Sequence, residues 1–346
     1  MVTVPFFISH QGCPHTCVFC DQRAISGSSG DLPTQYDIIA KIDAWRQNAG
    51  KRPLHVAFFG GTFTALPVPV QNKLLEPLQP LLESGEIRSI RISTRPDGID
   101  STVVRRLGIL GVTTIEIGVQ SMDDGVLEGS GRGHTAADSE AAIRCIRSGG
   151  LSAGAQLMPG LPGDTAAGSL DSLEQVVAAG ASFVRIYPVV VLRGTELARR
   201  FLAGEYQPPG VEEAVQLCKV LLHRSLQAGI EVVRIGLQAD EGLNGDTVVA
   251  GCWHPALGQL TRSELYFDLL CKLLADFTHG QPSVVRCHPS RVSDVAGHGK
   301  MNLKRLKNNM HQTMIRSDRN LLPEEIVVDN FTCSIKGNIV TDLKYR

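Results

Sequence analysis

The sequence predicts an α/β fold: a partial (β/α)6 TIM-like barrel with a small α+β C-terminal extension. Three observations carry this reading. Short β-rich apolar runs alternate with helical stretches for more than two hundred residues, Gly and Pro cluster between them, and the rhythm changes after about residue 240. Such alternation builds a parallel sheet covered by helices, and six or seven units suit a barrel better than a short doubly wound sheet. Strands are expected at 3–8, 54–59, 88–93, 113–118, 153–157, 183–187 and 231–235. Helices are expected near 35–48, 70–84, 99–109, 136–148, 168–179 and 211–228. The punctuation includes Gly60-Gly61, Pro96-Asp97-Gly98 and Pro159-Gly160-Leu161-Pro162-Gly163. The barrel is assigned to residues 1–240. Residues 241–346 form the extension, expected to cover the barrel mouth and to offer a substrate or RNA surface. Within it, 244–259 reads as loop, 263–278 as an amphipathic helix, 283–287 as a strand and 299–309 as a basic helix. Two β-prone runs follow from 324.

Composition narrows the function classes. Of the 346 residues, 34 are Lys or Arg and 35 Asp or Glu, which excludes a chain that is basic throughout. The charge is unevenly spread: residues 281–346 carry a net +5 and the rest a net −6. No apolar run reaches the ~20 residues a membrane-spanning helix needs, and the start lacks the basic flank of a signal peptide. A cytoplasmic location is expected, where thiols stay reduced. The nine cysteines are then to be read for metal chemistry or burial rather than as a disulfide framework.

Cys13-Pro-His-Thr-Cys17-Val-Phe-Cys20 directly follows the first strand. Three thiolates in C-x3-C-x2-C spacing can hold three corners of a [4Fe–4S] cube and leave the fourth iron open. An open metal position marks catalytic rather than structural sites. The same spacing also suits a zinc site completed by His10 and His15, a cluster with a fourth ligand from afar, or unrelated thiols on a tight loop. Cysteines 145, 218, 252, 271, 287 and 333 stand singly and read as core thiols.

With Phe19 one residue before the last cysteine, the stretch resembles the C-x3-C-x-aromatic-C signature of the radical S-adenosylmethionine (radical SAM) superfamily. Gly60-Gly61-Thr62-Phe63-Thr64-Ala65, Ser93-Thr94-Arg95-Pro96-Asp97, Glu116-Ile-Gly-Val-Gln-Ser121, Arg132-Gly133-His134-Thr135 and Arg193-Gly194-Thr195-Glu196-Leu197 resemble its Elp3-like branch, over roughly residues 3–235. The remainder, with Gly251-Cys-Trp-His-Pro255 and Asp294-Val-Ala-Gly-His-Gly-Lys-Met-Asn302, resembles the extension of shorter, coproporphyrinogen-oxidase-like relatives. The resemblance implies two cofactors, a [4Fe–4S] cluster on Cys13, Cys17 and Cys20, and SAM. Its amino and carboxylate groups would chelate the open iron, and one electron would split it to methionine and a 5′-deoxyadenosyl radical.

It also implies roles for further residues. Gly60 and Gly61 would let the backbone approach the methionine end of SAM, with Thr62 where the family usually has Glu. Ser93, Gln120, Arg132 and Gln156 fall at SAM-contacting positions; a guanidinium suits a carboxylate and an amide a ribose hydroxyl. Ser93 and Gln156 stand where the porphyrinogen-type relative has carboxylates. Glu116 would face the barrel interior and bond Arg95 or SAM. Met158 and Leu161 would flank the adenine, Tyr187 would face the same cavity, and Phe19 would shield the cluster. His134, Arg193, Arg234 and His254 are candidate substrate contacts.

Residues 298–319 hold six Lys/Arg and one Asp, with Lys300, Lys304 and Lys307 at helical spacing. Such a stripe can track phosphates, although no aromatic residues interleave with it for base stacking. The Elp3-like resemblance makes tRNA a candidate partner, beside an electron donor such as flavodoxin or ferredoxin. The acetyltransferase domain of that branch would need well over a hundred residues past Arg346, so acetyl transfer by this chain is not expected. The functional expectation is radical modification of tRNA or another nucleoside. The alternatives are a small-molecule oxidoreductase of the coproporphyrinogen-oxidase-like type, a cluster-bearing tRNA-binding protein without turnover, and a zinc-binding regulator.

Overall fold

The computed structural model describes residues 2–21, 31–238, 243, 245–275, 282–308, 312–331 and 333–345. The boundary expected at 240 and the ends of the helices expected to reach 278 and 309 lie outside them. Seven strands form one curled parallel sheet: β1 (Val2–Phe7), β2 (Leu54–Phe59), β3 (Ile87–Thr94), β4 (Val112–Gln120), β5 (Ser152–Leu157), β6 (Phe183–Ile186) and, beyond a short β7 (Val190–Leu192), β8 (Glu231–Ile235). Their order in the sheet is their order in the chain, with β6 next to β8. Between them lie α1 (Gln35–Ala49), α2 (Val68–Leu75), α3 (Gln79–Glu83), α4 (Ser101–Ile109), α5 (Asp124–Gly129), α6 (Ala136–Ser148), α7 (Ala166–Ala178), α8 (Glu196–Leu202) and α9 (Val211–Gln227). The expected half-barrel is the observed one.

Period-two alternation explains its two faces. In β3, Ile90 and Ile92 are fully buried, while Ser89, Arg91 and Ser93 between them are half-buried and line cavities. Helix starts are capped locally: Thr34 with Asp37 and Thr135 with Asp138 form reciprocal capping boxes. The helix expected at 70–84 breaks into α2, a 3-10 turn at Glu76–Leu78, and α3. Pro77 and Pro80 bring no N–H to the ladder and forbid one continuous helix.

The chain divides into two compact units. One holds residues up to Pro209 together with Glu231–Cys252; the other holds Gly210–Ile230 and Trp253–Arg346. The second takes in α9, α10 (Leu257–Leu274), β10 (Pro282–Cys287), α11 (Val292–Ala296), α12 (Met301–Asn308), β11 (Gln312–Ser317), β12 (Glu325–Asp329) and β13 (Ser334–Asn338). Its sheet runs β11-β10-β12-β13, parallel only between β10 and β11. Lys219 of α9 meets Asp268 of α10 at 2.6 Å, and the Tyr345 hydroxyl donates to the same carboxylate at 2.6 Å.

Three strands escape the sequence reading. β7 pairs antiparallel with β9 (Val248–Gly251), inside a stretch read as loop, and β11 occupies part of the basic stretch. Each is short, and its pairing partner is remote in sequence. All nine cysteines are free. Of the six expected as core thiols, Cys218, Cys252 and Cys287 are buried and Cys145 is half-buried, whereas Cys271 and Cys333 are exposed. Among the described residues no helix is long and apolar enough to cross a membrane.

Candidate active site

Parallel strands present their C-terminal ends on one side, and the loops leaving those ends enclose a cavity of about 600 Å³ in the first unit. Cys13, Cys17 and Cys20 line it on the loop after β1. Gly60, Gly61 and Thr62 follow β2, Ser93 closes β3, Glu116 and Gln120 belong to β4, and Gln156 and Met158 lie at the end of β5. Phe19, Arg132, Tyr187 and Arg234 also line it.

The cysteine loop is anchored from three sides. Thr62 N donates to Gln11 O at 2.8 Å, Val18 N to Ser130 O at 3.1 Å, and Leu197 N to Val18 O at 2.7 Å. Gly61 has φ 58°, and a Cβ there would stand closer than 3.0 Å to the carbonyl oxygens of Ile8 and Gln11. Gly12, at φ 72°, is equally close to Thr62 O. The two glycine turns therefore interlock backbone to backbone. Gly61 is required by the cysteine loop, a reason that a sequence reading aimed at SAM does not supply.

Around the thiols the polar groups are specific. Arg132 donates from Nη1 to Cys17 Sγ at 3.2 Å and from Nη2 to Gly118 O at 2.6 Å. Its buried Nε has no partner. Thr62 Oγ1 lies 3.5 Å from Cys13 Sγ. Burial first, then the neighbouring Cys17 and Cys13, push the Cys20 thiol up to about 12. A thiolate at Cys20 therefore needs positive charge beside it, which iron would supply. No three His, Cys, Asp or Glu side chains among the described residues are arranged to close on a single metal ion. A cube needs no such convergence, because each cysteine binds a different iron.

Gln120 closes β4 in a left-handed conformation, φ 71°, where the register against β5 shifts. A side chain other than Gly pays about 1 kcal/mol or more for that backbone. The twist sends Gln120 into the cavity wall, where its Oε1 is buried without a partner. Unspent groups at Gln120 Oε1 and Arg132 Nε suit a polar ligand, so the residues present fit a [4Fe–4S] cluster with SAM.

Glu116 lines the cavity as expected but does not bond Arg95. Arg95 is held by Asp97 through two bonds of 2.9 and 3.1 Å. Glu116 instead faces Arg185 Nε at 2.8 Å and Arg91 Nη1 at 3.5 Å. The contacts are ionic, since neither Arg185 Nε nor Glu116 Oε2 is aligned for a hydrogen bond. Arg185 also donates to the Tyr187 hydroxyl at 3.0 Å. Burial raises Tyr187 above the ordinary phenol range, so it keeps its proton. Arg91 and Arg185 were not singled out from the sequence; the alternation that places them with Ser93 and Tyr187 was the available signal.

Other expectations are redistributed. Leu161 does not line the cavity but packs in the core with Cys17, Val18 and Phe19. His134 is buried, contacts Val119 O at 3.2 Å through Nε2, and does not line the cavity either. Burial, then Arg132 and Arg95, lower it to about 4. Arg193 donates to Asp246 O at 2.6 Å at the surface. His254 belongs to the second unit, where its Nδ1 accepts from Ala256 N. Lys300, Lys304 and Lys307 are all exposed, with Lys300 at φ 61° just ahead of α12.

Family models match at residues 7–176, as the Radical SAM superfamily, and at 181–277, as the Radical_SAM C-terminal domain. The chain belongs to the radical SAM superfamily. It is 27% identical over 258 residues to a tRNA uridine(34) acetyltransferase of Methanocaldococcus jannaschii, covering 63% of this chain and 48% of that protein. The chain thus spans about half the length of the acetyltransferases it matches. A heme chaperone HemW of Haemophilus influenzae is 25% identical over 272 residues, covering 72% of this radical SAM chain and 68% of HemW. The Elp3 structure of Methanocaldococcus infernus superposes with a TM-score of 0.64 at 23% identity, over 78% of this chain and 63% of that one, and shares its fold.

Proposed function

We propose that this chain is a radical SAM enzyme that modifies a nucleoside of tRNA, drawing its electron from a small carrier of the flavodoxin or ferredoxin class. The observation that carries the enzymatic part is the single cavity in which Cys13, Cys17 and Cys20 meet the unpartnered Gln120 Oε1 and Arg132 Nε. When bound, a [4Fe–4S] cluster with SAM supplies one-electron cleavage of a carbon–sulfur bond, yielding a carbon radical that abstracts hydrogen. The three cysteines would hold the cluster. Arg132, with both terminal nitrogens committed, positions the Cys17 sulfur and has Nε left for a SAM oxygen. Gln120 accepts through Oε1. Tyr187 holds its proton and can donate it in a hydrogen bond to substrate. Phe19 and Met158 exclude water. The tRNA part is supported by the acetyltransferase relatives and by the exposed Lys304 and Lys307 on α12.

The test is anaerobic turnover of the reconstituted protein with reductant, SAM and tRNA carrying deuterated nucleosides. Deuterium in 5′-deoxyadenosine is expected, with no cleavage of SAM by Cys17→Ala. Cleavage that persists in Cys17→Ala refutes the cluster assignment, and absence of deuterium transfer refutes the substrate. A second reading, haem handling without turnover, is favoured by the fuller mutual coverage with HemW. It predicts a saturable Soret band on haem titration and no 5′-deoxyadenosine.

A further inference from the structure

A second cavity, of about 410 Å³, lies in the first unit at the opposite, N-terminal ends of β1–β4. Its polar lining includes Thr3, His55, Arg88, Ser89, Arg91 and Thr114, and no carboxylate. Register explains the gathering: Thr3 pairs with His55, His55 with Ser89, and Arg91 with Thr114. Adjacent strands lie ~4.8 Å apart, so these side chains form neighbouring rungs on one face.

The charges here do not balance. Glu116 faces two guanidinium groups, Arg185 at 2.8 Å and Arg91 at 3.5 Å, and Glu231 is a second carboxylate that acts on Arg91 from beyond ion-pair distance. Arg88 is the surplus positive charge, with no ion pair among the described residues. His55 Nδ1 is bonded to Ser89 Oγ, and its buried Nε2 has no partner. A surplus of cationic and hydrogen-bonding groups around a cavity without acid is unfavourable until an anion enters.

We propose that this cavity binds the phosphate group of a small phosphorylated molecule, held by Arg88, Arg91, His55 Nε2 and the hydroxyls of Thr3 and Thr114, with the Ser89 hydroxyl fixing the His55 ring. A tetrahedral phosphate offers several acceptor oxygens to donors arriving from different strands, whereas a carboxylate offers two in one plane. Burial first, then Arg91, hold His55 below its ordinary imidazole range, so its ring is neutral and Nε2 can present N–H with Nδ1 accepting from Ser89. The volume exceeds that of phosphate alone and falls within the range of small-molecule sites.

The test is calorimetric titration of the full chain with inorganic phosphate, with acetate in parallel at matched ionic strength. Saturable phosphate binding is expected, weakened about tenfold or more in Arg88→Gln and in His55→Gln. Arg88 is exposed, so its replacement leaves the fold intact. Arg234→Gln, in the other cavity, is expected to bind phosphate as the parent does. Absence of saturation, affinity unchanged in both Arg88→Gln and His55→Gln, or loss confined to Arg234→Gln overturns the proposal. Acetate binding as tightly as phosphate overturns the phosphate class.

Discussion

Replacing Gly61 by alanine adds one methyl group at the joint between the cysteine loop and the turn after β2. Two costs arise. The left-handed backbone, φ 58°, costs an alanine about 1 kcal/mol. The new Cβ also falls closer than 3.0 Å to two carbonyl oxygens, Ile8 O and Gln11 O, both backbone and unable to swing away. Overpacking of this kind costs about 1–3 kcal/mol, so Gly61→Ala is expected to lose roughly 3 kcal/mol. Gly85→Ala is the control, because Gly85 has φ 75° but nothing within 4 Å of its added methyl; it carries the backbone cost alone. At about 2–4 °C per kcal/mol for a unit of this size, thermal denaturation followed by circular dichroism should shift by roughly 6–12 °C in Gly61→Ala and about 2–4 °C in Gly85→Ala. Iron uptake after anaerobic reconstitution should fall only in the former. Equal shifts in the two variants, with equal iron content, would refute the interlock and return Gly61 to a role in ligand approach.

Two further outcomes follow from the buried ionisable groups. Arg185→Met strips Glu116, 4% exposed, of its nearer cation and leaves Arg91 at 3.5 Å; a loss of about 2–4 kcal/mol is expected in denaturant unfolding, partly restored in the Glu116→Gln/Arg185→Met double variant. A loss under ~0.5 kcal/mol would show that the pair is not a stabilising contact. His134 has its folded pKa lowered to about 4 by burial, so as pH falls from about 6.5 the unfolded chain takes up the proton first. Stability should drop by up to ~3 kcal/mol between pH 6.5 and 4, and His134→Gln should remove that part of the slope.

The parallel half-barrel was legible because its cues are local. Short β-prone runs separated by Gly and Pro place all seven strands within a few residues of their observed bounds. The break at Pro77 and Pro80 was missed by the expectation of one helix over 70–84, although proline removes a donor wherever it stands. By contrast β7, β9 and β11 depend on partners far along the chain, and no local pattern reveals a short strand of that kind. The candidate site divides in the same way. Cys13, Cys17 and Cys20 announce themselves by spacing, whereas Gly60, Ser93, Gln120 and Gln156, which line the same cavity, were named by the family resemblance.

The order of strands and helices, the cysteine triplet and the family pattern around it are set by backbone geometry and residue type within a few positions. Which charges meet is settled by long-range contacts. Arg132 reaches Cys17 across 115 positions, Glu116 turns to Arg185 and Arg91 rather than Arg95, and Gly61 is fixed by the carbonyls of Ile8 and Gln11. Those pairings are set by interstrand register and by the curl of the sheet, which bring side chains from separate strands within a few ångströms. Local propensity carries no record of such distances.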